Sequence, residues 1–253
     1  RCIVVLLGQG EDGAWTIALD CEKLGEGIAD ALTTCSQSRV SFESGRFCLL
    51  RLNTEHCAIA GQALAFCSWH HSSVYDGSCG EVTKPIECGL KRKADSSAQK
   101  IYPRIDPVVI CLVLSPCRQR ALLGKMKRSP KNFYSCISGF VEPCESVQEA
   151  AIREVREETG VTIRNVVVVD SQPWPIGRGG GCELMIGCIA EATDTTIAIA
   201  DSEVEDVRWF PLDAVEAMLE ASTNRSDVGS AGDSGPIVPG PYAIAHHLLK
   251  HAV

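Results

Sequence analysis

The residues best suited to chemistry lie in one acidic run, Arg153-Glu154-Val155-Arg156-Glu157-Glu158. Carboxylate oxygens are the ligands that hard divalent cations such as Mg²⁺ prefer. The alternative is a solvated helix face held by local ion pairs, which is the usual explanation of a charged run. The position of the carboxylates relative to the apolar side of the helix is one argument for metal binding.

A helix with its own start and stop signals carries this run. Ser146 is followed three residues later by Glu149, the pattern of a capping box, and Gly160 supplies the stop. At 100° per residue, Glu154 and Glu158 continue an apolar stripe. Like charges four residues apart destabilise an exposed helix by roughly 0.2–0.5 kcal/mol, and more when desolvated. Something must neutralise them, and by spacing alone a bound metal ion and local ion pairs both stay open.

The spacing of these residues resembles the Nudix box, G-x5-E-x7-R-E-U-x-E-E-x-G-U, in which U is aliphatic. The matching residues are Gly139, Glu145, Arg153, Glu154, Val155, Glu157, Glu158, Gly160 and Val161. The resemblance implies an α/β (α+β) fold, a mixed sheet sandwiched between helices. It also implies hydrolysis of a nucleoside diphosphate linked to another moiety.

The resemblance further implies the roles of individual residues. The catalytic residues are expected to be Arg153, Glu154, Glu157 and Glu158. The metal ligands are expected to be the same three glutamates together with Glu203 and the backbone carbonyl of Ser138. Arg153 would orient a carboxylate through bidentate pairing. The implied cofactor, Mg²⁺ or Mn²⁺, would neutralise a pyrophosphate and lower the pKa of a bound water.

Two further motifs resemble the NADH pyrophosphatase subfamily of Nudix hydrolases. Tyr102-Pro103-Arg104-Ile105-Asp106-Pro107 matches Y-P-R-x-D-P, and Ser171-Gln172-Pro173-Trp174-Pro175 matches S-Q-P-W-P. A tryptophan between two prolines offers a rigid face for a nicotinamide or adenine ring, although a core tryptophan in a braced turn is the commoner case. The pocket residues implied are Tyr102, Phe140, Gln172, Pro173, Trp174, Pro175 and Ala245. The resemblance also implies a homodimer.

These motifs indicate hydrolysis of NAD(H) to AMP and nicotinamide mononucleotide. Removal of an NAD cap from RNA, the first alternative, cleaves the same bond but requires a positive groove. The formal net charge of −8 argues against that groove in general, so RNA is expected as a partner only in the form of an NAD-capped substrate. A non-catalytic nucleotide-binding sensor is the second alternative, although such proteins usually lose box carboxylates and all are present here.

The chain departs from the subfamily in two places. Its zinc ribbon, C-x2-C-x14-C-x4-C, keeps only Cys79, and the other positions hold Asp76, Ala94 and Gln99. One thiolate and one carboxylate do not make a tetrahedral site, so we expect no structural zinc. An alternative zinc site would use Cys67, His70, His71, Cys79 and Cys88, whose spacing matches no finger pattern.

The second departure is a loop of residues 177–181 that is about four residues longer than in the subfamily. Its three consecutive glycines predict mobility. Arg178 supplies a cation that could meet a phosphate, a 2′-phosphate or no ligand.

The remaining sequence predicts the elements that position these residues. We expect a β-rich N-terminal domain (1–71), a connector derived from the degenerate ribbon (72–101) and the Nudix domain (102–253). Strands are expected at 2–7, 14–19, 47–52, 108–114, 121–123, 166–169, 184–190 and 207–210. Helices are expected at 59–71, 147–158, 212–219 and 242–251. Residues 222–241, rich in Ser, Gly, Asp and Pro, predict a flexible loop.

Composition indicates the cellular setting. The fourteen cysteines show no paired spacing, which predicts small buried side chains in a reducing compartment. The cytoplasm is favoured, and the peroxisome and mitochondrion stay open because a chain that starts with Arg1 indicates a trimmed N-terminus. No apolar run is long enough to predict a membrane span.

Overall fold

The computed structural model describes residues 3–11, 13–20, 51–200, 202–223 and 235–253, with residues 27, 28, 31, 34 and 45. The chain forms two compact units. The N-terminal unit comprises residues 1–105 and 174–183, and the C-terminal unit comprises residues 106–173 and 184–253. The run at 47–52, predicted as a strand, lies outside the described residues except for Arg51 and Leu52.

The N-terminal unit contains two small antiparallel hairpins and a long helix. Among the residues that the structure describes, its elements include β1 (Val4–Gln9), β2 (Trp15–Leu19), α1 (Thr54–Ser72), β3 (Thr83–Ile86) and β4 (Lys91–Ala94). The predicted strands at 2–7 and 14–19 and the predicted helix at 59–71 are thereby confirmed. Strands β3 and β4 pair with Thr83 opposite Ala94 and Ile86 opposite Lys91, across a short 3₁₀ turn at Glu87–Gly89.

The C-terminal unit is built on a six-stranded sheet. Its strands are β5 (Ile105–Leu114), β6 (Arg120–Met126), β7 (Ile137–Phe140), β8 (Ile163–Trp174), β9 (Cys182–Ala192) and β10 (Val204–Pro211). Its helices are α2 (Val147–Thr159), α3 (Leu212–Thr223) and α4 (Ile244–Lys250). The order of the strands is β10-β6-β5-β9-β8, and β7 pairs with β5. The predicted helices at 147–158, 212–219 and 242–251 are confirmed.

Strand β5 shows how the sheet divides the core. Ile110, Leu112 and Leu114 belong to the hydrophobic cluster that also contains residues of α3 and α4. The intervening Val109, Cys111 and Val113 belong to the cluster that contains Ala150, Ala151 and Val155 of α2. Successive side chains of a strand point to opposite faces, so helices cover both faces of the sheet. The predicted α/β sandwich is confirmed.

Two features of the C-terminal unit differ from expectation. Strand β7 was not predicted, because its four residues include Ser138 and Gly139 and show no run of apolar side chains. The predicted loop at 222–241 is wrong at both ends: α3 extends to Thr223, and Ile237 bridges to Phe133. Val238 is buried in the core, because a short apolar pair within a Pro- and Gly-rich segment still gains by burial.

Among the helices in the described residues, none is long and apolar enough to cross a membrane.

Candidate active site

Helix α2 is held rigidly at both ends. The side chain of Ser146 accepts from the backbone N–H of Glu149, and the Glu149 carboxylate accepts from the backbone N–H of Ser146 at 2.8 Å, so the predicted capping box is present. Gly160 ends the helix in the left-handed conformation with φ of 75°, which favours glycine. Val155 is fully buried beneath the helix. The carboxylates of α2 therefore project from a fixed scaffold.

Arg153 is the centre of the site. Its Nε and Nη2 donate to the two carboxylate oxygens of Glu145 at 2.8 and 2.9 Å, a bidentate pair. Its Nη1 donates to Oε1 of Glu154 at 2.7 Å, and Nη2 also donates to the backbone carbonyl of Phe140 at 2.8 Å. Glu157 lies further away, with its Oε2 3.5 Å from Nη1. One guanidinium thus connects α2, the preceding loop and β7.

The ion pair between Arg153 and Glu145 shifts the pKa of both side chains. Hydrogen bonding from Arg153 lowers the pKa of Glu145 below its usual value. Hydrogen bonding to Glu145, followed by the Glu154 contacts, raises the pKa of Arg153, with burial opposing. Both groups are therefore charged across the physiological range.

Gly139 makes room for Glu154. A Cβ atom built on residue 139 would lie 1.9 Å from Cδ of Glu154, well inside van der Waals contact. Gly139 pairs with Val109 of β5, so its place in the sheet is fixed. The box needs glycine here because the Glu154 carboxylate packs directly on the strand.

The remaining predicted metal ligands differ in environment. Glu158 is buried with 6% of its surface exposed, whereas the Glu157 side chain is 59% exposed. Ser138 lies in β7 opposite Ile110. Glu203 is exposed just before β10, and its backbone carbonyl accepts from the N–H of Lys127 at 2.9 Å.

The structure brings Glu145, Glu154 and Glu157 to Arg153 rather than to one another. In the part of the chain that is described, no three His, Cys, Asp or Glu side chains form a ready metal site. The donor set nevertheless fits Mg²⁺ or Mn²⁺, because it consists of oxygens and three carboxylates share one guanidinium. The individual metal ligands stay a prediction.

Four of the predicted pocket residues belong to the C-terminal unit. Gln172 binds the start of α4, since its Nε2 donates to the carbonyl of Tyr242 and its Oε1 accepts from the N–H of Ile244, both at 2.8 Å. Ala245, the second residue of α4, is buried in the core, and Pro173 is exposed. Phe140 contributes its carbonyl to Arg153. The Gln172 side chain therefore has a structural function whether or not it contacts substrate.

The other three predicted pocket residues belong to the N-terminal unit. Pro175 packs on α1, where a Cβ on Gly61 would lie 3.1 Å from Cγ of Pro175. Trp174 is half-buried. Tyr102 is 60% exposed, and the Nζ of Lys91 lies 5.0 Å from the centre of its ring.

The inserted loop has its own hydrogen bonds. The N–H of Gly177 donates to the carbonyl of Gly181 at 3.0 Å, and the N–H of Arg178 donates to Oε1 of Glu183 at 2.7 Å. The Ser68 hydroxyl of α1 donates to the carbonyl of Gly180. The glycines allow this turn, since φ is positive at Gly179 and Gly180.

Residues at the positions of the degenerate zinc ribbon make hydrogen bonds or are buried within the protein. Asp76, at the first ribbon position, accepts from the N–H and hydroxyl of Ser78 at 2.8 and 2.6 Å. Ala94, at the third, is fully buried. His70 is unsuited to an alternative zinc site, because Nε2 faces the carbonyl of Gly89 at 2.7 Å and Nδ1 faces Nη1 of Arg92 at 2.8 Å.

The cysteines that the structure describes are free thiols. Cys111, Cys136 and Cys188 are buried, which raises the pKa of their thiols, while Cys79, Cys88, Cys117 and Cys144 are exposed. The expectation of buried cysteines holds only for the first group.

Glu145 is the residue that the sequence prediction of the site omitted. It is the strongest partner of Arg153, yet it lies on a loop before the helix, outside the 3.6-residue periodicity that identified the others. Its fixed position in the Nudix box was the sequence feature that could have identified it as a site residue.

Comparison with known proteins gives one family. Residues 104–228 match the NUDIX domain. Nudix hydrolase 19, chloroplastic, of Arabidopsis thaliana is 37% identical over 225 residues, covering 78% of this chain and 51% of the relative. NAD-capped RNA hydrolase NUDT12 of Homo sapiens is 37% identical over 211 residues, covering 80% and 43%. NAD-capped RNA hydrolase NudC of Mycobacterium tuberculosis is 35% identical over 193 residues, covering 76% and 59%.

The chain spans about half the length of the curated relatives that it matches. The domain match includes the complete box, and the structure gives that box a capped helix, a bidentate Arg153–Glu145 pair and a glutamate packed on its glycine. On these grounds the chain belongs to the Nudix hydrolase family.

Proposed function

We propose that the chain is a Mg²⁺- or Mn²⁺-dependent pyrophosphohydrolase that cleaves NAD(H) to AMP and nicotinamide mononucleotide. The observation that carries the proposal is the charge imbalance around Arg153, where one guanidinium is shared by Glu145, Glu154 and Glu157. Glu158, nearly buried, adds a further carboxylate to the same helix. Such a site favours a divalent cation, and the cation in turn favours a pyrophosphate.

The reaction is the addition of water across the anhydride. Water attacks one phosphorus, the bond from that phosphorus to the bridging oxygen breaks, and both products leave as phosphate monoesters. A bound metal ion would neutralise the pyrophosphate and acidify the attacking water. Arg153 would hold the Glu145 and Glu154 carboxylates in place during the reaction. Trp174 is proposed to stack on a ring of the dinucleotide.

NAD-capped RNA is the second candidate substrate. The relatives from Homo sapiens and Mycobacterium tuberculosis are named for that activity. The scissile anhydride is the same as in NAD, so the candidates differ in whether the chain also binds the nucleotides that follow the cap.

The homodimer is also proposed. Strand β8 is the last strand in the order of the sheet, and it exposes Val167, Val168 and Val169. Burial of such an apolar edge against a second copy would stabilise a dimer. Sedimentation should give twice the mass of the chain, and a monomer at all concentrations would contradict the proposal.

The test is a substrate panel with a matched pair of variants. The chain is incubated with NADH, NAD⁺, ADP-ribose, diadenosine polyphosphates and an NAD-capped RNA, with and without Mg²⁺ or Mn²⁺, and the products are separated by chromatography. We expect metal-dependent release of AMP from NADH. Glu158→Gln should lower kcat by on the order of 100-fold or more. Glu220→Gln, the same change at an exposed position of α3, should leave kcat unaltered.

Cleavage of another dinucleotide would keep the reaction and change the substrate. A folded Glu158→Gln protein with near-normal kcat would contradict the proposed site, and absence of cleavage of any substrate would favour a binding protein.

A further inference from the structure

The β3–β4 hairpin presents lysines on one of its faces. Lys84 stands directly opposite Lys93, and Lys91 stands opposite Ile86. Thr83, Arg92 and Ala94 alternate with them and are buried. Alternation along the strands therefore places Lys84, Lys91 and Lys93 together on the other face.

Among the described residues, this face carries more positive charge than the nearby carboxylates neutralise. Lys84 pairs with Asp95, and both Lys91 and Lys100 pair with Glu87. Four lysines thus accompany two carboxylates in a chain whose formal net charge is −8. Like charges directly opposite each other in a hairpin are destabilising. An arrangement that costs stability and reverses the overall charge indicates an anionic ligand.

An exposed aromatic ring extends the same face. The Nζ of Lys91 lies over the ring of Tyr102, and more than half of the tyrosine surface is accessible. Cations that follow a phosphate backbone, next to an aromatic ring on which a base can stack, are the two elements of single-strand recognition. A double helix would not offer its bases to the ring, so the combination favours single-stranded RNA over a duplex.

We propose that this lysine face, formed by Lys84, Lys91, Lys93, Lys100 and Tyr102, binds the phosphodiester backbone of single-stranded RNA. The inference deepens the proposed function and rests on it, since the RNA concerned is the chain that follows an NAD cap. The lysines neutralise phosphates, and Tyr102 offers its ring to a nucleotide base. The face binds RNA whether or not a cap is present.

The experiment measures binding separately from hydrolysis. A fluorescein-labelled, uncapped 12-nucleotide RNA is titrated with the full chain, and anisotropy is recorded at several salt concentrations. The test variant combines Lys84→Glu and Lys93→Glu, and Lys84→Gln with Lys93→Gln is a milder form. The matched control, Lys131→Glu with Lys250→Glu, makes the same change of charge at exposed positions of the C-terminal unit. Melting curves establish that each variant is folded.

We expect the glutamate pair to weaken RNA binding by at least about 10-fold and to reduce the slope of log affinity against log salt by about 1.4, since each phosphate contact on a single strand contributes about 0.7. The glutamine pair should give a smaller loss, and the control should bind normally. The kcat/KM for NAD-capped RNA should fall with the affinity, while that for NADH stays unchanged.

Unaltered RNA binding in both test variants, or an equal loss in the control, overturns the proposal even if NADH is hydrolysed. Lysine-dependent RNA binding by a chain that hydrolyses nothing would instead support the lysine face and contradict the proposed function.

Discussion

Two arginines organise the two units of this chain in opposite ways. Arg153 of the Nudix box donates to the carboxylates of Glu145 and Glu154 at the surface of α2. Arg92 of the β3–β4 hairpin is buried and donates to neutral acceptors, the hydroxyl of Thr83 at 2.7 Å, the carbonyl of Thr83 at 3.0 Å and Nδ1 of His70. The first arginine is outnumbered by carboxylates, and the second is a cation among dipoles.

The difference shows how each unit deals with charge. Around Arg153 the surplus is negative, so the site would gain from the metal ion proposed above. Burial lowers the pKa of Arg92, and burial also lowers the pKa of His70, which keeps its imidazole neutral and able to accept from the guanidinium. The hairpin therefore has its own buried cation, Arg92.

The contact between Gly139 and Glu154 offers the strongest test of the first half of this comparison. Gly139→Ala places a Cβ where the Glu154 carboxylate now lies, so Glu154 must leave Arg153. A displacement of about 1 Å at a catalytic group lowers kcat/KM by on the order of 100-fold. Steady-state kinetics measure the loss. Gly77→Ala is the control, because its Cβ meets no atom within 4 Å. Normal kinetics in Gly139→Ala would show that this contact does not position the carboxylate.

Loss of the His70 imidazole tests the second half. His70→Ala leaves the buried Arg92 without one acceptor, which should lower the free energy of unfolding by about 1–3 kcal/mol. Chemical denaturation measures the change, and His56→Ala, on the exposed part of α1, is the matched control. Equal stability of the two variants would contradict the importance of the network.

The stability difference between the wild type and His70→Ala should also depend on pH. The pKa of folded His70 is below its ordinary value of 6.5, so neutral His70 contributes stability above pH 6.5 and loses it as pH falls through the lowered pKa. The difference between wild type and His70→Ala should therefore shrink as the solution is acidified. A difference that grows would mean that the folded state prefers the charged imidazole.

Removal of zinc should have the smallest effect. Because Asp76 binds Ser78 and Ala94 is buried, the hairpin should not depend on metal. Dialysis against a zinc chelator should change the melting temperature by less than about 1 °C, whereas loss of a structural zinc usually unfolds a small metal-binding domain. Calorimetry before and after dialysis makes the comparison. A fall of several degrees, reversed by zinc, would restore the metal site that the sequence argues against.

Local pattern was sufficient for the parts of the site that lie on one element. The capping box, the glycine stop and the spacing of Glu154 and Glu158 predict α2 and its buried side, because helical periodicity acts over one or two turns. The replacement of three ribbon cysteines is likewise evident from the sequence alone, and the absence of structural zinc stays a prediction.

The tertiary structure decided what depends on partners distant in sequence. Gly139 must be glycine because Glu154 packs on it from another element, and Gln172 holds α4 across 72 positions. Strand β7 forms because β5 supplies its hydrogen bonds, although its own residues show no apolar run.

The hairpin separates the two contributions most clearly. Its sequence determined that lysines are abundant and that the zinc ligands are missing. Which lysines share a face, and that Arg92 is buried against His70 rather than exposed with them, followed only from strand register, because a shift of one residue exchanges the two faces.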